Sequence, residues 1–125
     1  MTAGGTPSVL LLHGAIGAGA TMAPLAERLA PHFTVHVLDF AGHGPMPAPA
    51  APLTMELLAE QVAAFIAARA LAPARIFGHS LGGYVALQLA EARPELVACV
   101  ATLATKLAWT PEVSARMRRQ FDTAA

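Results

Sequence analysis

The stretch of this sequence with the clearest chemical potential is Gly78-His79-Ser80-Leu81-Gly82-Gly83. It places a serine in the spacing G-x-S-x-G, after a short apolar run (Arg75 to Gly78) and before a helical pattern from Leu81 to Ala92. A serine used as a nucleophile must protrude from the carboxyl edge of a sheet, so the strand has to turn sharply into the helix. Gly78 and Gly82 remove the Cβ atoms that would collide where strand and helix approach closely. The same placement leaves Leu81 N–H, and the positive end of the helix dipole, beside the position where an oxyanion would form. The pentapeptide alone arises by chance; its position between a strand and a helix is what makes it informative.

Two further motifs bear on this chemistry. His13-Gly14-Ala15-Ile16-Gly17 ends an apolar run that starts at Ser8. An oxyanion hole needs two donors, and the second comes from a loop on a neighbouring strand. Ala15 N–H is the foremost candidate, with Ile16 next. The other motif, Asp39-Phe40-Ala41-Gly42-His43-Gly44, ends a second apolar run.

The elements that must position these residues alternate in kind. Ser8–His13 reads as a strand buried on both faces. Met22–Ala30 reads as a helix closed by Pro31, and Phe33–Leu38 as the second strand. Four prolines between Pro45 and Pro52 forbid a helix or a central strand there. Thr54 is placed to cap a helix over Met55–Ala70, whose buried stripe is Leu58, Val62, Ala63, Phe65 and Ile66. Arg75–Gly78 is the third strand, Leu81–Ala92 the third helix and Leu96–Leu103 the fourth strand. Thr110-Pro111-Glu112 starts a last helix over Val113–Phe121. Its stripe of Val113, Met117 and Phe121 needs an apolar partner, with Trp109 and Met46 as candidates to border the same mouth. The order β-α-β-α-β-α-β-α predicts an α/β fold of three layers, αβα, around a parallel sheet of about four strands.

Composition narrows the function classes. With 125 residues, 55% hydrophobic and 13% charged, the chain supports one core and lacks the signature of disorder. Eight basic against eight acidic residues leave no broad electrostatic footprint for nucleic acid or an anionic membrane. A single cysteine, Cys99, cannot form an internal disulfide and reads as a small buried hydrophobe. No basic segment precedes the short apolar run Val9–Leu12, and no apolar stretch reaches the roughly 18 residues of a membrane span. The expectation is a soluble cytoplasmic domain. His32 and His36 share no helix face, so no metal site is expected, and no cofactor is implied.

Together the three motifs resemble those of the α/β-hydrolase superfamily, in its order and approximate spacing, from Pro7 to about Pro111. The resemblance implies a sheet order of second, first, third and fourth strands. It implies acyl-transfer chemistry on an ester, thioester or similar bond, with Ser80 as nucleophile and Leu81 and Ala15 N–H as the oxyanion hole. His13, Gly14, Gly78, Gly82, Asp39 and His43 would be structural supports. Ile16, His79 and Trp109 are candidate substrate contacts, although packing is the alternative for His79, whose side chain is expected to point away from Ser80. A small-molecule acyl substrate is the implied partner. Residues 1–105 would form the N-terminal part of the core, and 106–125 the start of a lid or cap helix, with Lys106, Arg116, Arg118 and Arg119 on a solvated face.

One departure stands out. A serine hydroxyl needs a base, and the family's chain order is serine, acid, histidine. No histidine follows Ser80 here, and the later carboxylates are Glu91, Glu95, Glu112 and Asp122. The position where some members carry the acid holds Thr105, Lys106 and Leu107. The expectation is therefore the N-terminal portion of a longer hydrolase, with an open apolar edge at the fourth strand available for self-association. Two alternatives remain. One is a non-catalytic binding module of the same fold. The other is a dinucleotide-binding βαβ unit, since Asp39 ends the strand after a glycine loop; the glycines at 14, 17 and 19 nevertheless run in the reverse of the fingerprint order.

Overall fold

The computed structural model describes residues 5–123, with side chains in the last helix described through Arg119. Four strands, β1 (Ser8–Leu12), β2 (Thr34–Leu38), β3 (Ala74–His79) and β4 (Val97–Leu103), form one parallel sheet in the order β2-β1-β3-β4. The helices are α1 (Ala23–Leu29), α2 (Met55–Ala68), α3 (Leu81–Ala92) and α4 (Pro111–Thr123). The expected α/β architecture and strand order are both observed.

Side-chain alternation on β1 divides the core between two faces. Leu10 and Leu12 face α2 and α3, packing with Leu38, Leu58, Val62, Ile66, Ile76, Val85 and Leu89. Val9 and Leu11 face the other way, against Met22, Leu25, Leu29, Val35, Val37 and Phe77. β1 is thus buried on both faces, as its unbroken apolar run requires. Each fully buried leucine of this strand contributes about 1.5–3 kcal/mol relative to exposure. Thr54 caps α2 as its position predicts, its Oγ1 accepting Leu57 N–H at 3.1 Å.

Several boundaries differ from the sequence reading. The first helical segment begins as a 3₁₀ turn at Gly19–Met22, and α1 proper starts only at Ala23, with Pro24 in its first turn. A second 3₁₀ turn at Pro94–Leu96 precedes β4. Cys99 is exposed, not buried. The reason is topological: β4 is the last strand of the sheet, and only its inner edge is paired, with β3. Most of β4 is exposed, including Leu103, so the expected open edge is present among the described residues. Phe121, the third member of the expected stripe on α4, lies outside the described side chains. No helix among the described residues is long and apolar enough to cross a membrane.

Ile66 is fully buried between α2 and the sheet. Replacing it with alanine should lower the unfolding free energy by about 2–5 kcal/mol, read as a shift in urea midpoint at unchanged slope.

Candidate active site

Ser80 sits at the junction of β3 and α3, as the N-cap residue of a helix of 12 residues. Its backbone is strained, with φ 51° and ψ −112°, a conformation that costs a non-glycine residue of order 1–3 kcal/mol. Three sets of contacts hold it there. Ser80 N–H donates to Leu103 O at 2.8 Å, its carbonyl accepts Gly83 N–H at 3.1 Å, and Thr105 Oγ1 donates to the same carbonyl at 2.9 Å. The glycines around it are sterically required. A Cβ on Gly78 would overlap the backbone of Gly82 and Gly83, and one on Gly82 would overlap the Leu12 carbonyl. Gly83 belongs to the same set, because a Cβ there would strike Thr105 Oγ1. Leu81 N–H lies in the first turn of α3, where amides have no partner within the helix.

The loop after β1 lies against this junction. A Cβ built on Gly14 would stand 3.6 Å from Ser80 Cβ and 3.1 Å from His79 Nδ1. His13 is fully buried with both ring nitrogens engaged: Nδ1–H donates to Gly14 O at 2.7 Å, and Nε2 accepts Phe40 N–H at 3.0 Å. That pair of bonds selects one neutral tautomer. Burial pushes the His13 pKa below its ordinary value; the neighbouring His43 adds to this, while the Gly14 bond and Asp39 oppose it. A ring so occupied braces the loop and is not free to act as a base. Gly14 O also accepts Gly17 N–H at 3.0 Å, so the Gly14–Ala15 peptide, which carries Ala15 N–H, is held from two directions.

The loop after β2 closes over this arrangement. Asp39 Oδ1 accepts Gly19 N–H at 2.6 Å, and a Cβ on Gly44 would meet Ala18 and the Asp39 carboxylate. Asp39 is therefore turned back on the glycine loop itself, which leaves the dinucleotide alternative without its acidic ligand. The His43 ring faces two carbonyls, with Nδ1 2.9 Å from Ala41 O and Nε2 2.7 Å from Ala15 O. Sequence reasoning missed Gln61. Its amide clamps the loop from α2, donating to Asp39 O and accepting Ala41 N–H, both at 2.9 Å. Thr105 was also missed as a support for Ser80. Neither residue belongs to a local motif, so only the fold reveals the pairing.

A cavity of about 590 Å³ opens on Ser80. Gly14, Ala15, Leu81 and Thr105 line it, as do three of the sequence candidates: Ile16, His79 and Trp109. His79 is exposed and lines the cavity, so packing, the alternative reading for it, is not what the structure shows. Met117 from α4 also lines the cavity, but Met46 does not. The remaining lining is mostly apolar, from Met55, Tyr84 and Ala104, with Lys106 the one permanent cation. Among the described residues no histidine is hydrogen-bonded to Ser80 Oγ, and no group of His, Cys, Asp and Glu is arranged to hold a metal ion.

Residues 7–123 match the family described as alpha/beta hydrolase fold. A pimeloyl-[acyl-carrier protein] methyl ester esterase from Xanthomonas oryzae pv. oryzae is 34% identical over 122 residues, covering 94% of this chain and 46% of that protein. Among solved structures, E-2-(acetamidomethylene)succinate hydrolase superposes with a TM-score of 0.87 at 28% identity, over 96% of this chain and 45% of the other. A hydrolase from Pseudomonas aeruginosa PA01 gives 0.83 at 26% identity, over 98% and 46%. The chain thus spans about half the length of these proteins.

The His13 environment sets the sign of a pH effect. The unfolded ring takes up its proton near pH 6.5, whereas the folded ring resists protonation to a lower pH. The unfolded state then binds more protons, so stability is lost as the pH falls through about 6.5 toward the folded value. His36, held low by burial and by Arg69, contributes in the same sense. The urea midpoint should fall between about pH 7.5 and about pH 5.5, and His13→Gln, though less stable overall, should show a flatter profile.

Proposed function

The chain belongs to the α/β-hydrolase fold family, and on that premise we propose that it is the nucleophile-bearing part of a serine esterase. Ser80 Oγ attacks the carbonyl carbon of a carboxylic ester, and the tetrahedral oxyanion is received by Leu81 N–H and Ala15 N–H. Collapse of that intermediate breaks the bond to the alkoxide, which leaves as the alcohol once protonated, and water then releases the acyl group from Ser80. The histidine that takes the Ser80 proton, and its acid partner, are supplied from outside these 125 residues; relatives about twice as long support that reading.

One observation carries the proposal. Ser80 is held at a positive φ on the rim of a mostly apolar cavity, with the Gly14–Ala15 turn directly beside it. Strain of this kind persists only where the surroundings over-determine it, and it concentrates at reactive sites. The cavity volume lies within the range of about 300–1,000 Å³ common to small-molecule sites. Its apolar wall suits the acyl part of the substrate, with Ile16, His79 and Trp109 as contacts. The relative's name, a methyl ester esterase, supports a methyl ester of an acyl chain as the substrate proposed. Residues 1–105 supply the core, and 106–125 begin the cap, a division supported by Met117 of α4 reaching the cavity.

The test is covalent capture of the serine. Incubated with an activated fluorophosphonate and with exogenous imidazole standing in for the absent base, the chain should gain one adduct, mapped to Ser80 by peptide mass, and Ser80→Ala should gain none above background. Without its base, the chain should still hydrolyse an activated ester about 10³–10⁴-fold faster than water does through its oxyanion donors and binding alone, and Ser80→Ala should keep most of that rate. If a methyl ester raises the melting temperature while Ser80 stays unlabelled, the non-catalytic binding module is the correct reading.

A further inference from the structure

Ala15 and Ile16 are both exposed, Ile16 at 89%. Packing therefore does not hold the turn that carries the second candidate oxyanion donor. What holds it is a set of polar ties to its two peptide groups. The peptide before Ala15 Cα is fixed through Gly14 O, which accepts from His13 Nδ1 and from Gly17 N–H. The peptide after it is fixed through Ala15 O, which accepts a bond of 2.7 Å from His43 Nε2, 28 residues along the chain.

We infer that His43 is a positioning residue for the oxyanion donor, acting through its Nε2–H bond to the Ala15 carbonyl rather than as part of the β2 loop alone. Once both peptides flanking Ala15 are anchored, the direction of Ala15 N–H is set before any substrate arrives. Preorganised donors of this kind cost no rearrangement during reaction. The His43 ring is itself well placed for the task, seated in an aromatic cluster 5.1 Å from the His13 ring and 6.1 Å from that of Phe40, centroid to centroid. Its backbone is held as well, since His43 N–H donates to Phe40 O at 3.0 Å. The ring faces a carbonyl at each nitrogen, and a neutral imidazole has one N–H to offer. The inference assigns that proton to Nε2 and hence to Ala15.

The geometry supplies its own control, because two amide side chains mimic the two ring nitrogens separately. His43→Gln carries an N–H near the Nε2 position and can still reach Ala15 O. His43→Asn carries one near Nδ1 and can reach only Ala41 O. The inference rests on the serine-esterase reading, so both variants are compared with the parent chain and Ser80→Ala in the fluorophosphonate assay. The parent and His43→Gln should label Ser80 at rates within about twofold of each other, whereas His43→Asn should be slower by about tenfold or more, at a melting temperature close to that of His43→Gln. Equal rates for the Asn variant and the parent would overturn the inference while leaving the serine reading intact.

If the parent chain itself fails to label, the serine reading falls, and nuclear magnetic resonance decides the positional claim by itself. The Ile16 amide, which shares a peptide with Ala15 O, should shift in His43→Asn and stay in place in His43→Gln. For the case of an Asn variant that does not fold, the parent chain offers a direct reading. A through-hydrogen-bond correlation from the His43 Nε2–H to the Ala15 carbonyl carbon is expected, and its absence overturns the assignment.

Discussion

The rest of the structure depends on how closely α3 crosses the ends of β1 and β3. Gly82 lies against the Leu12 carbonyl and Gly78 against the Gly82–Gly83 backbone, with no room for a Cβ at either glycine. That approach gives Ser80 its positive φ, because the chain must reverse from strand into helix within one residue. The strain is offset locally by bonds from Ser80 to Leu103, Gly83 and Thr105. Two of these partners belong to β4 and the segment after it, so the end of β4 is part of the serine's support although the strand lies at the margin of the sheet.

The two sides of the candidate site are held by different physics. On the serine side, backbone meets backbone at van der Waals distance, and the conformation is set by exclusion. On the Ala15 side the side chains are exposed, and the conformation is set by hydrogen bonds from buried or half-buried groups behind the turn. His13, His43, Asp39 and Gln61 form one connected layer there, tying the loop after β1 to the loop after β2 and that loop in turn to α2. Such a layer must be complete to be stable, since a buried donor or acceptor left unpaired costs about 1–3 kcal/mol. Among the described residues no fully buried side-chain polar atom lacks a partner.

This difference explains what could be read from the sequence. Steric demands write themselves into residue type: Gly78, Ser80 and Gly82 cannot be replaced without consequence, and their spacing announces the turn. The unbroken apolar run of β1 likewise announces a central strand. Hydrogen-bond partners leave fainter traces, because a glutamine on a helix or a threonine after a strand suits many roles. Gln61 and Thr105 became visible only when the fold brought them to Ala41 and Ser80. Cys99 was misread although an open edge at the fourth strand was expected, because a cysteine in an apolar strand reads as a buried hydrophobe whether or not anything covers it. The exposure of His79 was likewise hard to read, because side-chain alternation along a strand does not say whether anything covers the strand's last residue.

The order β2-β1-β3-β4 also determines where such a site can form. From β1 the chain moves outward to β2, then crosses back over β1 to reach β3 on its other side. Because all the pairings are parallel, the loops after β1 and β3 leave the same edge of the sheet but turn toward opposite faces, one toward α1 and the other toward α3. A crevice must open between neighbouring strands whose connections diverge, and ligands in open α/β sheets bind at such a switch point. Here the crevice has Gly14 and Ala15 on one wall and Ser80 and Leu81 on the other. Ser80 and the adjacent Leu81 amide can therefore face Ala15, which comes from a different segment of the chain. The first turn of α3 packs on the end of β1 at Leu12 and His13, but Ala15 and Ile16 beyond it stand exposed. The contact from His43 to the Ala15 carbonyl reaches that exposed turn because β2 neighbours β1 on the side away from β3.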